Sequence, residues 1–187
     1  MIPEEVIKIV VEKLETCGIA YMIVGSFASN VHGKPRTTHD ADLIIETDEL
    51  NIEKFAQSLG SDFYFDVETA KDAVRKNFMC NALHYDTGFK IDIIIRKNRA
   101  FSFSEFSRKK LNELLGRQYW FATAEDTILA KLAWSKMGES ERQFNDAANI
   151  AKVQKDNLDT EYLRYWANDL QVDDLLNKIL QELQSIS

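Results

Sequence analysis

The run Lys90-Ile91-Asp92-Ile93-Ile94-Ile95 constrains this chain more than any other six residues. It is apolar enough to demand a place in a sheet, yet it carries a carboxylate among its isoleucines. A carboxylate embedded in such a strand is rarely buried unless it is paired or bound to a metal; the alternative is an exposed edge. Phe78 to Tyr85 precedes the run across Asp86-Thr87-Gly88, so Phe78–Tyr85 and Phe89–Ile95 read as a β-hairpin.

Helical spacing of Val6, Ile7, Val10, Val11 and Leu14 predicts a helix over 4–17. Glu4 and Glu5 favour its first turn, and Gly18 marks its stop. Tyr21–Val24 reads as a short buried strand ending at Gly25, with Ser26 as the N-cap of a short helix from Phe27 to about Val31. A loop follows over His32–Arg36, then a strand over Asp40–Glu46. A helix starts at Thr47 or Asp48 and runs to about Leu59. Phe63–Phe65 suits a short strand, 67–76 a helix, and the basic, polar stretch 103–110 a short helix. Gln118–Ala122 suits a last strand. From Thr123 the pattern is helical: Thr123 caps a helix to about Trp134, and 139–153, 160–168 and 172–183 follow. The reading is α+β, a body over 1–122 followed by a helical region over 123–187. No Pro- or Ser-rich linker separates them, so the tail is expected to pack on the body.

A chain of 187 residues can hold one sizeable domain, or a small domain with a helical annex. The net charge of −7 argues against extended binding to duplex DNA, but leaves room for a local basic pocket. Cys17 and Cys80 lie far apart without CxxC context, which reads as two reduced thiols. The N-terminus lacks a basic stretch leading into an apolar run, and no apolar stretch could span a bilayer. The expectation is a cytoplasmic protein with no membrane partner.

Asp40-Ala41-Asp42 lies on a predicted strand, where residues i and i+2 face the same way. Two carboxylates side by side repel and raise each other's pKa unless a cation lies between them. Hard oxygen ligands of this kind suit Mg²⁺. A bare DxD is common, and a solvated strand face would explain it equally well. Asp92 weakens that alternative: if its strand lies beside Asp40's, the three carboxylates could hold two metal ions roughly 3.5–4 Å apart. Gly25-Ser26 comes directly after an apolar strand and opens a helix, where free N–H groups welcome an anion. It is not a Walker A loop, and the absence of GxSxG argues against Ser26 as a hydrolase nucleophile. His39 is expected in packing or a loop contact, and His84 as a satisfied structural histidine. His32 lacks a partner at metal-ligand spacing, so a zinc site is not expected.

In order, the motifs are a strand, Gly25-Ser26, a short helix, His32-Gly33 and Arg36 in a loop, Asp40-Ala41-Asp42, then Asp92. This order resembles the nucleotidyltransferase superfamily of the DNA polymerase β type, with core motifs over residues 21–95 and a looser likeness to about residue 150. The likeness is to small bacterial members that include antibiotic nucleotidyltransferases and toxins of abortive-infection systems. It implies a small mixed β-sheet core flanked by helices. It also implies transfer of a nucleoside monophosphate from a nucleoside triphosphate to an acceptor (RNA, protein or small molecule), with release of pyrophosphate. Asp40, Asp42 and Asp92 would be catalytic and would ligate two Mg²⁺ ions, with Mn²⁺ as the alternative. Gly25, Ser26, Arg36 and Lys131 would contact the triphosphate. Lys131 reads equally as a solvated helix cation, Arg36 as a loop cation, and Arg142 with Asp146 as an i,i+4 ion pair. Two other readings stay open: a nucleotide-binding module of the same fold without turnover, and the toxin of a toxin–antitoxin pair.

Overall fold

The structure is a computed structural model, and it describes residues 1–185; the last two residues of the expected 123–187 region lie outside the described residues. The chain divides into two compact units. One comprises Met1–Val24 with Thr37–Phe121, the other Gly25–Arg36 with Ala122 onward. Residues 25–36 therefore group with the C-terminal helices, where sequence reading assigned them to the body.

The first unit is built on a seven-stranded mixed sheet. In chain order its elements are α1 (Pro3–Thr16), β1 (Ala20–Val24), then β2 (Asp40–Glu46), α3 (Glu49–Leu59), β3 (Phe63–Tyr64), α4 (Val67–Lys76), β4 (Met79–His84), β5 (Lys90–Ile95), α5 (Ala100–Ser107), β6 (Lys110–Leu114) and β7 (Arg117–Phe121); α2 (Gly25–His32) belongs to the other unit. Strand order is β3-β4-β5-β2-β1-β7-β6. β2 pairs with β5 and β1 with β7 in parallel, and every other pairing is antiparallel.

Alternation along the strands separates the two sheet faces. Ile23, Leu43, Ile93 and Cys80 fall on one face through the pairings Ile23↔Leu43, Leu43↔Ile93 and Cys80↔Ile93, and all four are buried. Helix α1 covers this face with Val6, Ile7, Val10, Val11 and Leu14, none of them exposed. Tyr21 Oη donates to Glu15 at 3.3 Å, and Arg117 pairs with Glu12 and Glu15, which ties α1 to the strands beneath. The α1 start uses Pro3 in the first turn and Glu5, whose carboxylate accepts from Ile2 N at 2.8 Å. Asp48 caps α3 and Asp66 caps α4 through side-chain acceptance from Asn51 N and Thr69 N. The opposite sheet face carries Asp40, Asp42 and Asp92.

The basic, polar stretch 103–110 is expected to form a short helix, and no strand is expected over 110–114. The helix instead occupies Ala100–Ser107, and Lys110–Leu114 pairs with β7 across Leu115-Gly116.

The second unit comprises α2, α6 (Ala124–Gly138), α7 (Glu141–Val153), α8 (Thr160–Asp169) and α9 (Asp173–Ser185). Thr123 caps α6 as expected: its hydroxyl accepts from Asp126 N at 3.2 Å and donates to Asp126 Oδ2 at 2.6 Å. Tyr162 Oη on α8 donates to the other oxygen of this fully buried aspartate at 2.6 Å. Among the described residues no helix is long and apolar enough to cross a membrane.

Candidate active site

In the first unit, the parallel register sets Asp42 directly opposite Asp92 and Asp40 opposite Lys90. Paired residues of neighbouring strands share a face, and strands lie about 4.8 Å apart, so the three carboxylates form a ridge on one side of the sheet. Asn81 stands opposite Asp92 on its other flank, and Val24 opposite Asp42. β5 is thus an inner strand, flanked by β2 and β4. The exposed-edge alternative for Asp92 fails: it is only 7% exposed.

A cation stands on the ridge. Lys90 Nζ donates to Asp92 Oδ2 at 2.8 Å. That hydrogen bond raises the Lys90 pKa against the opposing effect of desolvation, and the charges of Asp92, Asp40 and Asp42 add to the rise. Thr38 donates to Asp40 Oδ1 at 3.0 Å. Asp92 Oδ1 is buried and has no hydrogen-bond partner among the described residues. With Asp92 turned to Lys90 and Asp40 to Thr38, no group of three or more His, Cys, Asp and Glu among the described residues is gathered to hold a metal as it stands. The donor chemistry nonetheless fits a hard divalent cation: the ridge offers carboxylate oxygens, and the buried Asp92 Oδ1 lacks a hydrogen-bond partner among the described residues.

Cys80 lies on the other face of β4, where burial first, and the charge of Asp92 next, push its thiol up to about 12. Such a thiol is inert at neutral pH.

The second unit gathers the remaining residues named from the sequence. Gly25 adopts φ +61 as it opens α2, a conformation that suits glycine. Helix α2 begins at Gly25, so Ser26 lies inside it and is not the N-cap. Ser26 Oγ accepts from Arg36 at 2.9 Å. The Arg36 guanidinium also grips Asp146, with Nε to Oδ1 at 3.3 Å and NH2 to Oδ2 at 3.0 Å. Lys131 Nζ donates to the same Oδ2 at 2.9 Å. Lys131 is 5% exposed, so the solvated-cation alternative fails. Arg142 is exposed, and Asp146 faces Arg36 and Lys131, so the i,i+4 pairing of Arg142 with Asp146 does not describe this carboxylate. Burial by itself would raise the Asp146 pKa; the hydrogen bonds and charges of Arg36 and Lys131 outweigh it and hold the carboxyl below its ordinary value.

Asn30 secures the Arg36 loop by reciprocal bonds, Nδ2 to Arg36 O at 2.8 Å and Oδ1 from Arg36 N at 3.0 Å. His32 Nε2 meets Ala122 O at 2.7 Å. In the first unit, His84 is satisfied by Thr87 Oγ1 at 2.9 Å and buried, as expected. His39 is exposed and lines a cavity of about 250 Å³ with Met1, Pro3, Thr38 and Phe89.

Sequence reading missed Lys90, Asn30 and the hub role of Asp146. Lys90 was within reach: it stands i−2 from Asp92, the same spacing that drew attention to Asp40 and Asp42.

The architecture is a nucleotidyltransferase fold. The structure matches the antibiotic-resistance factor ANT(2'')-Ia with a TM-score of 0.57 at 12% identity, over 97% of this chain and 95% of that one. It matches an antigenic nucleotidyltransferase-like protein from Paracoccidioides brasiliensis with a TM-score of 0.58 at 18% identity, over 96% and 92%. ANT(2'')-Ia in complex with adenylyl-2''-tobramycin matches with a TM-score of 0.50 at 12% identity, over 90% and 96%. At such identities the likeness establishes the fold. No family model and no curated protein matches the sequence.

Proposed function

We propose that this chain is a metal-dependent nucleotidyltransferase, moving a nucleoside monophosphate from a nucleoside triphosphate to an acceptor nucleophile and releasing pyrophosphate. One observation carries the reading: Asp42 stands opposite Asp92, whose Oδ1 is buried without a hydrogen-bond partner among the described residues, and Asp40 lies two residues back on the same face. The nucleotidyltransferase fold supports the same class, as does the adenylylated drug in the ANT(2'')-Ia complex. Asp40, Asp42 and Asp92 would hold Mg²⁺ or Mn²⁺. When bound, such ions neutralise the charge of a transferring phosphoryl group and lower the pKa of an attacking hydroxyl.

Lys90 holds Asp92 through Oδ2 and so orients Oδ1. That oxygen is the one assigned to take the acceptor's proton, once a bound acceptor reaches it. For the triphosphate, the proposal rests on the sequence resemblance and names Gly25, Ser26, Arg36 and Lys131. RNA, protein and small molecules are the acceptor classes to test.

Purified protein with Mg²⁺ and each α-labelled triphosphate should transfer label to some member of an acceptor panel. Asp92→Asn should reduce that transfer by about 100- to 1,000-fold, the loss seen when one preorganised electrostatic group is removed. Undiminished transfer in this variant overturns the assignment. Metal-dependent nucleotide binding without turnover on any acceptor replaces it with a nucleotide-binding module.

A further inference from the structure

Residues 96–120 carry seven Lys and Arg against two Glu, a local charge of +5 in a chain whose net charge is −7. In the fold they form α5 and the β6–β7 hairpin of the first unit. The cations are laid against aromatic rings. The Arg96 guanidinium lies 3.8 Å from the Phe103 centroid, and the Lys109 ammonium lies 4.0 Å from that of Phe106 and 5.8 Å from that of Trp120. Phe103 and Phe106 are i,i+3 on α5 and so share a side of the helix. Two of the rings are open: Phe103 is 49% and Trp120 37% exposed. Leu111, cross-strand from Trp120, is exposed as well.

Arg96 and Arg117 already face carboxylates, Glu46 for the first and Glu12 and Glu15 for the second. Lys97, Arg99, Lys109 and Lys110 have no ion pair among the described residues; Lys109 lies beside the open ring of Trp120, Arg99 lies 5.7 Å from the centroid of the buried Phe101, and Lys97 and Lys110 are exposed on the same segment. Burial lowers the Lys109 pKa, with the charge of Glu46 opposing, so an arriving polyanion would relieve a cost already present.

We propose that α5 and the β6–β7 hairpin bind single-stranded nucleic acid. Bases stack on Phe103 and Trp120, and phosphates meet Lys97, Arg99, Lys109 and Lys110. Only unstacked bases offer ring faces to such a platform; a duplex offers its phosphates alone. The overall negative charge of the chain confines a polyanion to this segment. Register also places Trp120 on the sheet face that carries the carboxylate ridge, because its neighbour Phe121 aligns with Ile23 and so with Leu43 on the opposite face. A strand held here would be an acceptor by class if the transfer reading stands, but the binding itself does not depend on that reading.

The test is fluorescence anisotropy with labelled oligouridylate and oligothymidylate of about 12 nucleotides, a length within the usual range of such sites. Neither triphosphate nor divalent ion is added, so failure here leaves the transfer reading standing, and failure of transfer leaves this one standing. Saturable binding should weaken roughly 50-fold between about 50 and 200 mM salt, the slope for about four phosphates on a single strand. Phe103→Ala and Trp120→Ala should each weaken it by about fivefold or more, while Trp120→Phe keeps most of it. The triple variant Lys97→Glu, Arg99→Glu, Lys110→Glu should abolish it with an unchanged melting temperature, since all three side chains are exposed. Preference for one of the two probes names RNA or DNA as the strand. Equal binding of a duplex, indifference to ring removal, binding only to phosphatidylserine vesicles, or no binding overturns the proposal.

Discussion

The carboxylate ridge and the Asp146 hub each set carboxylates against cations. In the ridge the Lys90 ammonium meets Asp92 beside Asp40 and Asp42, while in the hub a guanidinium and an ammonium converge on one carboxylate. They differ in how completely those charges are answered. Both oxygens of Asp146 accept hydrogen bonds, whereas Asp92 Oδ1, also buried, accepts none among the described residues. A satisfied buried network specifies structure, and an unsatisfied one costs stability unless a ligand completes it. The contrast is one of satisfaction: the hub answers both oxygens of its carboxylate within the second unit, and the ridge leaves one buried oxygen unanswered among the described residues of the first.

Breaking the hub should produce the largest stability effect. Asp146→Ala leaves Lys131 buried and Arg36 half-buried with their main carboxylate gone, a loss of about 3–5 kcal/mol. Urea denaturation would measure it. Lys131→Met with Asp146→Leu should recover part of that loss, because the buried Lys131 charge leaves with its carboxylate and only the partly exposed Arg36 is deprived of Asp146. The equivalent change in the ridge should behave differently. Asp92→Asn removes a charge-assisted bond from Lys90, whose side chain is 41% exposed, but also relieves the repulsion with Asp42. Its stability should stay within about 1 kcal/mol of wild type. Equal destabilisation by Asp146→Ala and Asp92→Asn would erase the distinction between the two regions.

How far the sequence exposed this contrast depended on range. Strand β2 was legible to the residue, because Asp40, Asp42 and Glu46 alternate with Ala41, Leu43 and Ile45. Caps at Asp48 and Thr123 were legible because N-capping acts over three residues. β6 was not: Lys-Leu-Asn-Glu-Leu is a half-exposed edge strand with little apolar contrast. Its turn places Leu115 and Gly116 at φ +51 and +73, and a leucine hides the Asn-Gly signal such a hairpin normally shows. The ridge was half legible, since DxD and Asp92 could be named while their register could not. The hub was illegible, because Arg36 and Asp146 are 110 residues apart and nothing local links them.

The next effect concerns the backbone of the hub's own unit. A methyl added at Gly33 would meet Ile150 Cγ1 and Ser29 O, each at 3.1 Å, and the latter is a backbone atom that cannot swing aside. Gly33→Ala should therefore destabilise by about 1–3 kcal/mol, with a lower urea midpoint and an unchanged slope. A neutral result would mean that α2 can shift away from α7, and the loop holding Arg36 would then be less firmly placed than Asn30's two bonds imply.

The smallest effect separates the regions by pH. The Asp146 pKa lies below its unfolded value of 3.8, so its stabilisation is present above that pH and is lost as pH falls through the folded value. The Lys90 pKa lies above its unfolded value of 10.5, so its contribution is complete below that pH and is lost as pH rises through the folded value. The hub should therefore weaken in acid and the Lys90 contact in alkali. Lys90 is partly exposed and screened, which limits its share to below about 1 kcal/mol. Lys90→Met and wild type should differ slightly near neutrality and converge above the folded pKa of Lys90, and added salt should shrink the difference at neutral pH. A constant offset across the alkaline range would mean that Lys90 contributes by packing its stem rather than by its charge on Asp92.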